Sequence, residues 1–160
     1  PLECGLVTSL FASILILAAA YISEYGFGLY PCELCYIQRY PYMLTIVLAA
    51  TGWLTSYRIG KQLMLLIIGV VMFLGAGVAG YHVGVEQHWW AGPSSCSDIQ
   101  SFETLADLRE SLAQAQVVRC DEPAIQIFGI TMAGANFVLS LMLCALAFFS
   151  LCRSDVIKGR

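Results

Sequence analysis

Charged side chains are scarce in this chain. Only 12% of its 160 residues are charged and 59% are apolar, whereas a soluble domain averages about 25% charged and about 45–50% apolar residues. A water-soluble fold of this length cannot bury so large an apolar fraction. The formal net charge is −3 and the sequence holds no cluster of Lys or Arg, so it lacks the electrostatic footprint that nucleic-acid binding requires.

Charge is absent altogether from four stretches, residues 6–22, 43–54, 63–81 and 124–151. Crossing the hydrocarbon core of about 30 Å takes roughly 17–25 helical residues, and uncharged neighbours extend the second stretch to that length. We therefore predict an all-α membrane protein, a four-transmembrane-helix bundle forming a single integral membrane domain over residues 1–160. The predicted spans are about 6–22, 40–57, 63–84 and 124–151.

The basic residues set the orientation of these spans, because short cytoplasmic loops are enriched in Lys and Arg. They lie in the predicted turn between the second and third spans and after the fourth: Arg58, Lys61, Arg153, Lys158 and Arg160. Both termini are therefore predicted to be cytoplasmic, with outer loops at about 23–39 and 85–123. The first stretch lacks the basic segment of a secretory signal peptide, so we interpret it as a retained span.

The second outer loop contains a helical pattern. Apolar residues recur at steps of three and four between acidic ones, after Ser101 as N-cap: Phe102, Leu105, Leu108 and Leu112. This pattern predicts a short amphipathic helix in the second periplasmic loop. The helix either lies along the membrane surface, near Trp89 and Trp90, or packs on the bundle as a lid.

Seven cysteines are distributed unequally across the predicted membrane. Four lie on the outer side, where disulfides persist: Cys32, Cys35, Cys96 and Cys120. Two disulfides suit them better than a zinc site, which normally uses two close pairs. The ring closed by a C-x-x-C pair is too small to be a useful structural staple, so that pair is predicted to be redox-active. The others are interpreted as small apolar side chains without chemistry: Cys4, Cys144 and Cys152.

The segment from Pro31 to Arg39 holds the strongest chemical signal. Pro31 is suited to the first position of a helix, and a helix starting there would put Cys32, Cys35 and Arg39 on one face. A helix N-terminus and a guanidinium both stabilise a thiolate, the species that exchanges disulfides. Arg39 could instead be a membrane-interface anchor. Pro41 removes a backbone donor one turn later, so we expect a bend there.

Three features together carry a family resemblance. They are the segment Pro-Cys-Glu-Leu-Cys-Tyr-Ile-Gln-Arg at 31–39, the segment Tyr-His-Val-Gly-Val-Glu at 81–86 followed by Trp89 and Trp90, and the later pair Cys96 and Cys120. Combined with four predicted spans, they resemble the DsbB family of bacterial inner-membrane disulfide-generating proteins, which includes the DsbI relatives. The resemblance covers the whole chain.

This resemblance implies the reaction and the roles of the residues. Electrons pass from a reduced periplasmic thioredoxin-fold oxidase of the DsbA type, through two cysteine pairs, to a membrane quinone, either ubiquinone or menaquinone. Cys96 would be attacked by the partner and is paired with Cys120, and Cys32 would exchange with Cys120. The quinone would be met by the Cys35 thiolate, by Arg39, which polarises its oxygen, and by His82.

Two other classes of function are compatible with parts of the sequence. One is a non-enzymatic membrane scaffold or metal-binding protein with structural outer disulfides. The other is a quinone reductase of the vitamin K epoxide reductase type, which also uses a four-helix bundle and two cysteine pairs. In that family the loop pair precedes the C-x-x-C, whereas here it follows.

Overall fold

The fold is described from a computed structural model, which covers residues 1–93, 120–121, 126–127 and 129–158. The described residues include five helices and one hairpin. The helices are α1 (Leu2–Phe27), α2 (Glu33–Ile37), α3 (Tyr40–Leu54), α4 (Arg58–Glu86) and α5 (Met132–Lys158). The hairpin pairs β1 (Gln126–Ile127) antiparallel with β2 (Ile130–Thr131). The predicted amphipathic helix and Cys96 lie outside the described residues.

Three helices, α1, α4 and α5, are long and apolar enough to cross a membrane. This confirms the predicted class, a helical membrane protein. Helix α3 has 15 residues and rises only about 22 Å. The backbone at Gln38 and Arg39 stays right-handed helical between α2 and α3, so residues 33–54 together reach the length of a span. The second predicted span, 40–57, stays a prediction, and the helical segment available for it is the combined one.

The turn between the second and third predicted spans is shorter than predicted. Helix α3 ends at Leu54, and an extended link over residues 55–57 joins it to α4. Arg58 and Lys61 therefore lie in the first turn of α4 rather than in the turn before it. The aliphatic parts of these two side chains can lie along the apolar helix surface while their charged ends stay in water. Lys61 Nζ meets Glu3 Oε1 at 2.5 Å, which ties α4 to α1.

The helix of the predicted fourth span begins at Met132, not near residue 124. Gly129 adopts a left-handed φ of 80° in the tight turn between β1 and β2, a conformation that favours glycine. Thr131 then caps α5, because its Oγ1 accepts the Gly134 backbone N–H at 3.0 Å. Hydropathy alone did not detect this hairpin, because its residues are as apolar as the helix that follows.

Helix α4 lies at the centre of the bundle and packs against α1, α3 and α5. Its inner face contributes Leu65, Ile68 and Met72, which are fully buried. Large apolar side chains also cover the outside of the bundle, including Leu15, Val47, Phe73, Leu74, Met142 and Phe149. An apolar exterior of this extent is unusual for a soluble monomer and suits a lipid environment.

The glycines of α4 differ in what they pack against. Gly80 faces the Phe137 ring, with 3.2 Å between its ideal Cβ position and the nearest ring atom. A Cβ on Gly84 would lie 1.9 Å from Trp90 Cζ2, so the Trp90 ring occupies the space that a side chain would need. Gly77 has no neighbour within 4 Å among the described residues. Close packing is therefore observed at Gly80 and Gly84 but not at Gly77.

Replacing Gly84 by Ala should displace the Trp90 ring and destabilise the outer end of the bundle by about 1–3 kcal/mol, the range for overpacking. Gly77→Ala is the matched control, because it adds the same methyl group to the same helix where space is open. It should leave stability unchanged or raise it by up to about 1 kcal/mol. Thermal unfolding in detergent with tryptophan fluorescence measures both; equal effects would contradict the packing difference.

Candidate functional site

The Cys32–Cys35 pair begins helix α2. Cys32 is the N-cap, with an extended backbone of φ −73° and ψ 172°, and its Sγ accepts the Cys35 backbone N–H at 3.3 Å. The sulfur thereby takes the place of the usual capping oxygen. Pro31 was predicted at the first helical position but precedes the cap instead. Glu33 holds the first position, two residues later than predicted, because Cys32 has an extended backbone and acts as the cap.

The two sulfurs are close but not bonded to each other. The Sγ atoms lie 2.8 Å apart, and both cysteines are free thiols. Cys32 is buried, with 5% of its surface exposed, while Cys35 is half-buried. The sequence favoured a disulfide between these two cysteines, whereas the structure shows the reduced form of the pair.

His82 of α4 lies directly against Cys32. Its Nε2 is 3.6 Å from Cys32 Sγ and 3.9 Å from Glu86 Oε1 one turn later on the same helix. Only 3% of His82 is exposed. Glu86 is held in turn by Thr131, whose hydroxyl donates to Oε2 at 2.6 Å. The structure therefore brings a thiol from the start of α2 together with an imidazole and a carboxylate of α4 in a buried site.

The two thiols differ in acidity. The pKa of Cys32 is lowered to about 5 by the hydrogen bond from Cys35 and by the neighbouring His82. The pKa of Cys35 is raised, first by that same contact with Cys32 and then by burial. Cys32 is thus the thiolate of the reduced pair. The main cause of the Cys35 shift is removed once the Cys32 sulfur enters a disulfide, because Cys32 then carries no charge.

Arg39 occupies a second cluster, formed with Glu24, Tyr21 and Tyr36. Its Nη1 donates to Glu24 Oε2 at 2.6 Å, and both side chains are buried. The guanidinium carbon lies 4.8 Å from the Tyr21 ring centre and 4.9 Å from that of Tyr36. The Tyr36 hydroxyl also donates to Glu24, at 3.0 Å.

The helix is not continuous from Cys32 to Arg39, as the prediction of a single face assumed. Helix α2 ends at Ile37, and a turn at Gln38 and Arg39 precedes α3. Pro41 explains the break, because it lacks the N–H that would bond to the Ile37 carbonyl. Arg39 is paired with a carboxylate of α1, whereas the side-chain nitrogen found beside the Cys32 sulfur is that of His82.

Cys120 lies next to the dithiol. It is disulfide-bonded, only 2% exposed, and belongs to one apolar cluster with Cys32, Leu34 and Val85, against which Cys35 packs. A cavity of about 220 Å³ adjoins it, lined by Val85, His88, Trp90, Ala91, Gly92 and Asp121. Three of the four outer cysteines therefore meet in the described part of the chain.

The remaining cysteines lie away from this site. Cys4 and Cys152 are exposed free thiols near the opposite end of the bundle, and Cys144 is a buried free thiol in the core of α5. Cys144 packs as a small apolar side chain, and the interpretation of all three as residues without chemistry stays a prediction.

The sequence prediction omitted the polar residues that support the site. Gln38 Nε2 lies 2.7 Å from His82 Nδ1, Asn136 hydrogen-bonds to Gln38, and Tyr42 hydrogen-bonds to Asn136. Asn136 did carry a signal, because an amide in the middle of an uncharged stretch is costly unless it has a partner. Glu24 carried a signal too, because it is the first charged residue after the uncharged stretch 6–22.

The sulfurs of the pair and the His82 nitrogen lie within 4.8 Å of one another, so a metal ion has to be considered. Zn–S bonds of about 2.3 Å at tetrahedral angles place two thiolates roughly 3.8 Å apart. The 2.8 Å between these sulfurs is much shorter. The arrangement therefore resembles a pair about to form a disulfide more closely than a zinc site.

Replacing His82 by Leu removes the imidazole beside Cys32 but keeps the hydrogen bond from Cys35. The Cys32 pKa should then rise from about 5 by about one unit, the effect of losing one charge-assisted hydrogen bond. The Cβ chemical shift of Cys32, followed against pH in the reduced protein, reports this midpoint. His88→Asn is the control, since His88 is exposed and Asn tolerates its left-handed φ of 58°. A midpoint equal in all three proteins would contradict the role of His82.

Comparison with known proteins identifies the family. The family model described as disulfide bond formation protein DsbB matches residues 4–150. An uncharacterised protein of Rickettsia prowazekii is 30% identical over 142 residues, covering 87% of this chain and 80% of that protein. Disulfide bond formation protein B 1 of Pseudomonas fluorescens is 29% identical over 139 residues, covering 80% of this chain and 78% of its own length. No solved structure matches the chain. Because the family model spans most of its length, the chain belongs to the DsbB family of membrane proteins that form disulfide bonds, as the resemblance predicted.

Proposed function

We propose that this protein is a protein-dithiol:quinone oxidoreductase that reoxidises a DsbA-type periplasmic oxidase and passes the electrons to a membrane quinone. One observation carries the proposal: a dithiol with one acidic sulfur packs in the same buried cluster as a disulfide-bonded cysteine of another loop. Two free thiols at 2.8 Å do not suit the alternative of a scaffold held by static disulfides.

The first half of the reaction is thiol–disulfide exchange. A thiolate of the partner attacks Cys96 of the Cys96–Cys120 disulfide, which gives a mixed disulfide and releases the Cys120 thiolate. Cys120 then attacks Cys32 of an oxidised Cys32–Cys35 pair, and Cys35 leaves as a thiolate. Each step breaks one S–S bond and forms one. The burial of Cys32, Cys35 and Cys120 in one cluster supports this transfer.

The second half restores the outer disulfide. The second thiolate of the partner attacks the mixed disulfide, which leaves the partner oxidised and frees Cys96. Cys96 attacks Cys120 in the Cys32–Cys120 bond, and Cys32 leaves. A thiol of low pKa is a good leaving group, so the acidity of Cys32 favours this step. The result, a bonded Cys120 beside a free Cys32–Cys35 pair, is the redox form of the structure.

A quinone fits the donors at this end of the bundle. Cys35 is half-buried on α2, and its neighbours Tyr36 and Ile37 present exposed apolar surface along which an oily carrier could approach. Arg39 has five N–H donors to meet carbonyl oxygens, and His82 lies beside the Cys32 sulfur. Bound quinone would accept the two electrons and two protons that the dithiol loses. Cys35, Arg39 and His82 would hold it, and Glu24 fixes the position of Arg39.

The same proposal places the protein in the bacterial inner membrane with both termini in the cytoplasm. Lys61 and Arg58 at the start of α4 would then face the cytoplasm, together with Arg153 near the end of α5. The dithiol lies at the other end of the bundle, so it would face the periplasm, where the partner oxidase works.

Cys35→Ser should abolish quinone reduction by a reduced DsbA-type partner while leaving Cys96 able to form the mixed disulfide. The absorbance of the quinone measures the reaction, and non-reducing gel electrophoresis measures capture. Cys144→Ser is the matched control, since Cys144 is also a buried free thiol but lies in the core of α5. Quinone reduction at the wild-type rate in Cys35→Ser, or its absence in the wild-type protein, would overturn the proposed function.

Arg39→Gln should raise the apparent Michaelis constant for quinone by about tenfold, because a hydrogen bond from a charged donor is lost. Capture of the partner at Cys96 should be unchanged. Glu24→Gln is the companion variant: it weakens the anchor of Arg39 and should produce a smaller change in the same constant. If Arg39→Gln lowers only the yield of folded protein, with unaltered kinetics, the polarising role is wrong.

A further inference from the structure

A continuous polar network runs from the dithiol into the apolar core of the bundle. It consists of His82, Gln38, Asn136, Tyr42 and Ser140. Gln38 Nε2 lies 2.7 Å from His82 Nδ1, and Asn136 Nδ2 donates to Gln38 Oε1. The Tyr42 hydroxyl donates to Asn136 Oδ1 and lies 2.8 Å from Ser140 Oγ. The network joins α4, the turn before α3, α3 itself and α5.

Every donor in this network points towards Cys32. Tyr42 occupies the Asn136 carbonyl oxygen, so Asn136 presents its NH₂ group to Gln38. Gln38 accepts that hydrogen on its own carbonyl oxygen and must therefore present its NH₂ group to His82 Nδ1. A nitrogen that accepts a hydrogen bond carries no proton, so the neutral ring holds its proton on Nε2. That is the nitrogen 3.6 Å from Cys32 Sγ.

We propose that Asn136 is a positioning residue, which orients the Gln38 amide and thereby holds His82 in the tautomer whose Nε2–H faces the Cys32 sulfur. Asn136 touches none of the sulfurs in this account. It acts across the bundle, from α5 through Gln38 to α4. The consequence for turnover rests on the proposed function, because an oriented donor stabilises Cys32 as a leaving group.

The network orients the imidazole rather than conducting protons. Its far end is closed, since Ser140 is 1% exposed and Tyr42 is 2% exposed. Two of its members are amides, which do not gain and lose protons under ordinary conditions. A fixed chain of donors, in contrast, sets the tautomer of a histidine, as carboxylates and carbonyls do for other functional histidines.

Two further titratable groups lie beside the Cys32 sulfur or beside the His82 ring, and they act independently of the network. Cys35 approaches it at 2.8 Å from α2. Glu86 of α4 lies 3.9 Å from the same His82 nitrogen and is held by Thr131. Neither contact involves Asn136, so a change at Asn136 should alter the Cys32 titration only through Gln38 and His82.

Asn136→Leu tests the proposal on the reduced protein, with neither quinone nor partner present. Without its partner the Gln38 amide can turn over, so signals of the Nδ1–H tautomer should appear in the His82 imidazole nitrogen spectrum. The titration midpoint of Cys32, read from its Cβ shift, should change by about half a unit to one unit, because the His82 ring beside its sulfur is no longer held in one state. In a Gln38→Leu background the same substitution should add nothing further, because coupled residues are not additive.

Thr45→Val is the matched control. Thr45 lies on α3 near Tyr42, and its buried hydroxyl has no hydrogen-bond partner in the described part of the chain. This variant should leave the tautomer and the midpoint unchanged. Tyr42→Phe keeps the ring and removes only the donor to Asn136. It should shift the tautomer and the midpoint in the same direction as Asn136→Leu, but by less. It therefore tests the network if Asn136→Leu does not fold.

The proposal is overturned if folded Asn136→Leu keeps the wild-type tautomer and midpoint, if its full effect persists in the Gln38→Leu background, or if Thr45→Val shifts them equally. Should Asn136→Leu fail to fold, unchanged spectra in Tyr42→Phe would overturn it. These outcomes are separate from those of the proposed function. Wild-type protein that does not reduce quinone but shows these shifts would refute the function and keep the role of Asn136.

Discussion

The organisation of the bundle end that holds the dithiol depends on stabilising a negative sulfur where little water is present. A buried charge needs nearby donors or it is neutralised. At Cys32 these donors come from the N–H group of Cys35 at the start of α2 and from His82 on α4. The N-terminus of the short helix α2 supplies the first donor, the Cys35 N–H. The packing of α4 against α2 brings in the second, His82.

Gln38 and Arg39 show how one turn of backbone serves two purposes. They are neighbours in sequence, yet Arg39 joins Glu24 and the tyrosines near α1, while Gln38 reaches His82 and Asn136 on α4 and α5. An uninterrupted helix would separate adjacent side chains by about 100° with a fixed register. The break before Pro41 changes that register and lets the two side chains enter separate clusters. Arg39 is therefore paired with Glu24, although it lies close in sequence to the dithiol.

The sequence was sufficient for those parts of the molecule that depend on composition and local spacing. Long uncharged stretches predicted α1, α4 and α5, and Pro31 with the C-x-x-C pair predicted a helix start near the sulfurs, although not that this helix would end at Ile37. Contacts between residues far apart could not be predicted in this way. The approach of His82 to Cys32 depends on the rotation of α4, and the bond between Tyr42 and Asn136 depends on how α3 meets α5. The late start of α5 had a local signal in Gly129 and Thr131, but hydropathy concealed it.

In the proposed reaction, the difference in acidity between the two thiols would give electron flow its direction. While Cys32 is a thiolate, it keeps Cys35 protonated, because two adjacent negative sulfurs repel each other. When Cys32 is bonded to another cysteine, that repulsion disappears and Cys35 can ionise. Cys35 would therefore become reactive only when Cys32 is bonded to another cysteine. Keeping Cys32 acidic requires that the His82 ring hold its proton on the nitrogen that faces the sulfur. Tyr42 of α3 and Asn136 of α5 would therefore contribute to the chemistry although they lie inside the bundle.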